Sequence, residues 1–147
     1  MEQLKIKLLT DTAKVPTRAT EGSAGYDLYA DISYPLHFPK GDILSIPTGV
    51  AIALPDANSV AIVSARSGLA IKHGITLANG IGVIDSDYRG EIKVGLINLG
   101  PEDFVIEPQQ RIAQLLIMPV EIPELLVSDE LSETERGSGG FGSTGKK

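Results

Sequence analysis

The chain has 147 residues, 42% of them hydrophobic and 22% charged, a size and balance that fit one globular domain and exclude wholesale disorder, a collagen-like fibre and a coiled coil. With no cysteine and two histidines, disulfides, thiolate metal sites and a cysteine nucleophile are excluded, and any metal must be held mainly through oxygen. A net charge of −6, with no basic run longer than Lys146-Lys147, argues against a groove for polymeric nucleic acid but leaves room for a small polyanion held by a few converging cations and a divalent ion.

Short apolar segments separated by Gly, Pro, Asn and Asp predict an all-β fold. Leu4, Ile6 and Leu8 alternate with Lys5 and Lys7, which predicts a strand with one buried face. Asp27, within AGYDLYA, reads either as a half-buried strand acid beside a turn or as a group that orients a cation or an arginine. Ile43 to Ile46, the alternating set Val50, Ile52 and Leu54, and Val60 to Val63 follow as further strands. Ser67 then caps a single short helix through Leu69 to Lys72, with His73 in its last turn and Gly74 just after it. Asn79-Gly80 between apolar flanks predicts a hairpin, and Asp85, Asp87 and Tyr88 mark a second turn. Ile92, Val94 and Leu96, then Phe104 to Ile106, then Ile112 to Met118 complete the strands. Pro55, Pro101, Pro108, Pro119 and Pro123 sit at or beside run ends, where a missing N–H does not interrupt a ladder.

The pattern suggests a sandwich, barrel or jelly roll with one short helix. Residues 1–127 are expected to form the β domain. Residues 128–147, acidic at first and then rich in glycine, are expected to form a flexible arm outside the core. No apolar run reaches the roughly 18 residues that cross a bilayer, and the amino terminus has no basic-then-apolar leader, so a soluble chain without a secretion signal or membrane partner is expected.

Three stretches carry candidate chemistry. Arg66-Ser67-Gly68 would aim a guanidinium, a hydroxyl and free backbone N–H groups at one anion-sized space, although a plain helix cap explains the same tripeptide. LANGIGVIDSDYRGE, residues 77–91, has bare glycines that let a flat ligand approach the backbone, and Asp85 follows Val83 and Ile84 at a strand end, where partial desolvation makes a carboxylate a better base toward water. Phe141 stands in a Gly/Ser stretch with nothing apolar beside it, so it wants a partner from elsewhere. Arg111 and Gln114 lie three apart, which on a regular strand places them on opposite faces. His37 and His73 have no spacing that suggests metal or base work.

Five segments in this order, AGYDLYA, ARSGLA, NGIGVIDSDYRGE, RIAQLLI and RGSGGFGSTG, resemble the motifs of the trimeric dUTP pyrophosphatases (dUTPases) and span most of the chain. The resemblance implies a jelly-roll-like β fold, a homotrimer whose active sites draw on all three chains, and hydrolysis of dUTP to dUMP and pyrophosphate with Mg²⁺. It further implies that such an activity limits uracil incorporation into DNA and supplies dUMP for thymidylate synthesis, in the cytoplasm or, for a virus-encoded chain, in the host cell interior. By the same resemblance Asp85 activates the attacking water, while Asn79 and backbone groups of Gly82, Val83 and Ile84 read uracil. Tyr88 stacks under the deoxyribose and excludes a 2′-hydroxyl. Arg66, Ser67, Gly68 and Gln114 contact phosphate, and Lys93 lies near the nucleotide. Asp27 stands near the water shell of Mg²⁺ or pairs with Arg111. In the arm, Arg136 reaches the γ-phosphate, and Phe141, with Gly142 and Ser143, closes over the substrate.

Two positions depart from the family pattern. Ala65 stands where proline is usual, and Gln109-Gln110 stand where a glycine and an acid are more common. The dCTP deaminase branch, which shares this fold, and a binding protein in which dUTP orders the tail to control a partner are the competing readings. The glycine-rich fifth motif and the Asp85 segment favour dUTP hydrolysis over deamination, and the intact catalytic residues argue against binding as the sole role while leaving a second role open.

Overall fold

The computed structural model describes residues 3–145, so the Lys146-Lys147 pair lies outside the described residues. Within them run β1 (Lys5–Leu8), β2 (Tyr26–Tyr29), β3 (Leu36–Phe38), β4 (Ile43–Pro47), β5 (Val50–Ala53), β6 (Ser59–Ala65), α1 (Ser67–His73), β7 (Ile75–Leu77), β8 (Gly82–Ile84), β9 (Lys93–Asn98), β10 (Phe104–Ile106) and β11 (Arg111–Pro119). The fold is all-β with one short helix, as the sequence pattern predicts, and every strand pairing is antiparallel.

The strands form a four-stranded sheet in the order β2-β11-β6-β8, a three-stranded sheet β4-β9-β7, and two pairs, β1-β5 and β10-β3. Alternation decides what each strand buries. Along β9, Val94, Leu96 and Asn98 point into the core while Lys93, Gly95 and Ile97 face outward. Leu28, Phe38, Ile46, Ile75, Ile106, Ile112 and Leu115 meet them in one cluster, each no more than 1% exposed. A fully buried side chain of this kind contributes about 1.5–3 kcal/mol. Asn98 is the polar exception. Its amide donates to the carbonyls of Phe38 and Glu102 and its oxygen accepts the Gly100 N–H, which ties the end of β3 to the β9–β10 loop.

Three local expectations change. Strand β1 forms, but all four of its residues are exposed, because it pairs with β5 and no layer covers it. Ser67 is the first helical residue rather than the cap. Arg66 takes the cap position with extended backbone and makes no side-chain cap bond, since its guanidinium is turned to Asp27. Asn79-Gly80 turns the chain without making a hairpin: β7 pairs with β9 and β8 pairs with β6, so the turn carries the chain from one sheet to the other. Gly74 does end the helix in the left-handed region, at φ 70°, with its N–H on the Ala70 carbonyl.

Candidate active site

Two clefts hold most of the sequence-predicted residues. The first, about 530 Å³, lies where the β7–β8 turn and the segment after β8 meet the outward face of β9. Asn79, Gly82, Val83, Ile84, Asp85, Tyr88 and Lys93 all line it. Gly82 is opposite Val63, where an added Cβ would come within 3.1 Å of the valine Cβ, so the bare backbone keeps this wall thin. Ile84 points into the core, and the next residue, Asp85, is carried outward, exposed in the chain alone. The desolvation expected for this carboxylate therefore has to come from whatever covers the cleft.

The segment after Asp85 is heavily bonded. The Tyr88 N–H donates to the Asp85 carbonyl at 3.1 Å, and Arg89 Nη1 donates to the carbonyls of Ser86 and Tyr88 at 2.7 and 3.0 Å. Tyr88 Oη donates to the Glu91 carbonyl at 2.9 Å, and Glu91 Oε2 accepts the Gly49 N–H at 3.0 Å. The cleft also includes Glu91 and Gly95, which the sequence reading passed over. Glu91 closes the 77–91 stretch and Gly95 lies within β9, but nothing in the local sequence gives either a role.

The second cleft, about 330 Å³, contains Asp27, Arg66, Ser67, Gly68 and Gln114. Asp27 is 7% exposed, and each of its oxygens faces a guanidinium: Arg66 Nε at 3.0 Å and Arg111 Nη1 at 3.6 Å. The Arg111 pairing was expected and the Arg66 pairing was not. One carboxylate between two cations leaves this corner net positive, suited to an anion. Gln114 is the register partner of Asp27, and a register shift in β11 between Arg111 and Ala113 brings Arg111 to the same carboxylate. The three-residue spacing thus does not separate Arg111 from Gln114, because the bulge resets the alternation. Gly25 gives Gln114 its room, since a Cβ there would fall 2.9 Å from Gln114 Oε1.

No described residue lines both clefts. Val63, in the first, is paired with Gly82; Ser64, in the second, is paired with Gln114. Neighbouring strand residues point to opposite faces, so Val63 and Ser64 stand on opposite faces of the four-stranded sheet.

After β11 the described residues form no further strand or helix. Arg136 Nε donates to the Gly139 carbonyl at 2.8 Å, and the Ser143 N–H donates to the Gly140 carbonyl at 3.0 Å, so the motif around Phe141 is a string of local turns. Phe141 is fully exposed, at φ 50°, beside Gly142 at φ 83°. The arm's Arg136, Phe141, Gly142 and Ser143 line neither cleft. Among the described residues no three carboxylates or histidines group to hold a metal, and Asp27 is already committed to two arginines. A magnesium ion would fit here only with oxygens from substrate phosphates and water, with Asp27 reaching it through water.

This arrangement is the all-β dUTPase fold: a solved Staphylococcus bacteriophage 80alpha dUTPase, a G164S mutant with dUpNHpp, is similar with a TM-score of 0.90 and 28% identity, over 99% of this chain and 100% of that one. The dUTPase family model matches residues 11–145. Curated relatives named deoxyuridine 5′-triphosphate nucleotidohydrolase are 54% identical in Desulfitobacterium hafniense, over 99% of each chain, and 58% identical in Rickettsia felis, over 97% of each. The chain belongs to the dUTPase family.

Proposed function

We propose that the chain hydrolyses dUTP to dUMP and pyrophosphate, with the first cleft as the nucleoside half of the site and the second as a phosphate half. The observation that carries this reading is the convergence of Asn79, the bare Gly82 wall, Asp85 and Tyr88 on one cleft. A flat base lies against the backbone of Gly82, Val83 and Ile84 with its polar edge on Asn79, and the sugar rests on Tyr88. Asp85 takes a proton from a water that attacks the α-phosphorus, and pyrophosphate leaves. Arg66, Gln114 and the free N–H groups at Ser67 and Gly68 receive the phosphates. A magnesium ion, held by substrate phosphate oxygens and by Asp27 through water, would supply positive charge against the charge that develops on the leaving oxygens.

In one copy no described residue lines both halves, so the reading unites the first cleft of one chain with the second of another, in a homotrimer. The arm of a third copy then brings Arg136 to the γ-phosphate and Phe141, Gly142 and Ser143 over the base, excluding bulk water. The bare apolar residues at Leu125, Leu126 and Val127 support an arm that leaves its own domain for a neighbour. The phage relative solved with dUpNHpp supports a deoxyuridine triphosphate as substrate.

A nucleotide panel with and without Mg²⁺ tests the reading. Pyrophosphate should be released from dUTP, with little from dCTP, dTTP or UTP, and ammonia released from dCTP would overturn it. Asp85→Asn should lower kcat by about 10²–10⁴-fold while dUTP binding stays measurable, as loss of a general base requires. Full turnover by that variant would remove Asp85 from its role.

A further inference from the structure

The tyrosine that the proposed function places beneath the sugar is itself about half exposed, at 46%, and an exposed ring does not hold one orientation unaided. Two neighbours without an assigned role fix it. The ring lies against Gly90: a Cβ built there would collide with Tyr88 Oη and fall 2.6 Å from Cζ and 3.0 Å from Cε2. Gly90 is not among the glycines at positive φ, so an alanine meets no backbone strain there and its whole cost falls on the ring. The Tyr88 hydroxyl ends on the Glu91 carbonyl, and the Glu91 carboxylate accepts the N–H of buried Gly49.

That second bond ties the ledge to the rigid part of the molecule. Gly49 sits at φ 67° in the β4–β5 turn, where any side chain would strike Ala13 and Asp31. Buried Thr48 donates to the Ile92 carbonyl at 2.6 Å, and the Ile92 N–H donates to the Val50 carbonyl at 2.8 Å. Residues 91 and 92 are thus bonded on both sides to one turn that cannot easily shift.

We infer that Gly90 and Glu91 are positioning residues for substrate selection: Gly90 lets the Tyr88 ring lie flat, and Glu91 locks that ring to the β4–β5 turn at the height that admits a 2′-deoxyribose and rejects a ribose. The inference rests on the proposed dUTP site, and it adds that the discrimination is set outside the ring that delivers it. Displacing the ring by part of an ångström changes sugar selection more than it changes attack at phosphorus, because Asp85 directly follows the paired strand β8 and its only bond to Tyr88 is through the backbone, not the ring.

The test measures kcat and KM for dUTP and UTP, with a thermal melt, in Gly90→Ala, Glu91→Ala, Glu91→Gln and Tyr88→Ala. In Gly90→Ala the ratio of kcat/KM for dUTP over UTP should fall about tenfold, with KM for dUTP rising more than kcat falls. Glu91→Ala should move the ratio the same way, and Glu91→Gln, which keeps an oxygen for the Gly49 N–H, should restore it. A purely structural role would lower melting temperature and yield without touching the ratio. Wild-type ratios in folded Gly90→Ala and Glu91→Ala, while Tyr88→Ala loses discrimination, would overturn the inference and leave the dUTP site standing. Should Gly90→Ala fail to fold, the Glu91 pair decides alone. A wild-type ratio in Tyr88→Ala would instead overturn the role given to Tyr88, and the inference with it.

Discussion

Leu96 and Leu115 are each 1% exposed, whereas Leu125 and Leu126 are 90% and 89% exposed, on the same chain and within a few tens of residues. The core cluster is drawn entirely from residues 28–115, and the strands and the helix all lie before residue 120; residues 120–145 add no side chain to that cluster and no strand or helix. Each exposed leucine forgoes about 1.5–3 kcal/mol of burial. The contrast teaches that apolar residues alone do not make a core: strand alternation and pairing bury Leu96 and Leu115, while the stretch holding Leu125 and Leu126 has neither and leaves them bare.

The sharpest way to break that comparison is to remove the arm's last part. Deletion of residues 136–147 should leave the melting temperature within about 2 °C, because no described residue of that stretch belongs to the core cluster. The same deletion should lower dUTP turnover by about 10²-fold or more, the usual effect of losing a charge-stabilising contact. An unfolded truncation would show that the arm belongs to the core after all.

Within the β domain, Asp27→Asn tests whether the phosphate corner is as self-sufficient as its geometry suggests. It keeps the shape and removes the charge that faces Arg66 and Arg111. Loss of these charge-assisted bonds should cost about 2 kcal/mol, a fall of about 4–8 °C in a thermal melt. An unchanged melt would mean that the two arginines hold their places without it. The smallest effect concerns Gln109, a non-glycine residue that adopts φ 62°. It donates to the Thr12 carbonyl, but its own Oε1 is buried without a partner. Gln109→Gly relieves the left-handed strain and the orphaned oxygen and loses one hydrogen bond, for a net gain of about 0.5 kcal/mol, readable as a rise of about 1–2 °C.

What the sequence made legible follows from the range of each interaction. The alternation of Ile92, Val94 and Leu96 is local, and so β9 could be read directly. Asn79-Gly80 announced a chain reversal, but the partners of β7 and β8 are chosen by distant strands, and the turn proved to join two sheets. Arg111 and Gln114 were separated by strand arithmetic that only the pairing with β2 could correct. Asn79, Asp85 and Tyr88 could be grouped in advance because one contiguous motif holds them, and they do line one cleft. Glu91 closes the same motif, but its partner, Gly49, lies 42 residues away, so its contact could not be read locally.

One strand deserves a genetic reading. Since Val63 and Ser64 stand back to back on β6, a lesion on one face of that sheet and a lesion on the other spoil different working centres whenever copies share their halves. Two defective alleles expressed together, one lacking Asp85 and the other lacking Arg66, would then rebuild some intact centres between them, and a single strand would act as the boundary between two complementation groups.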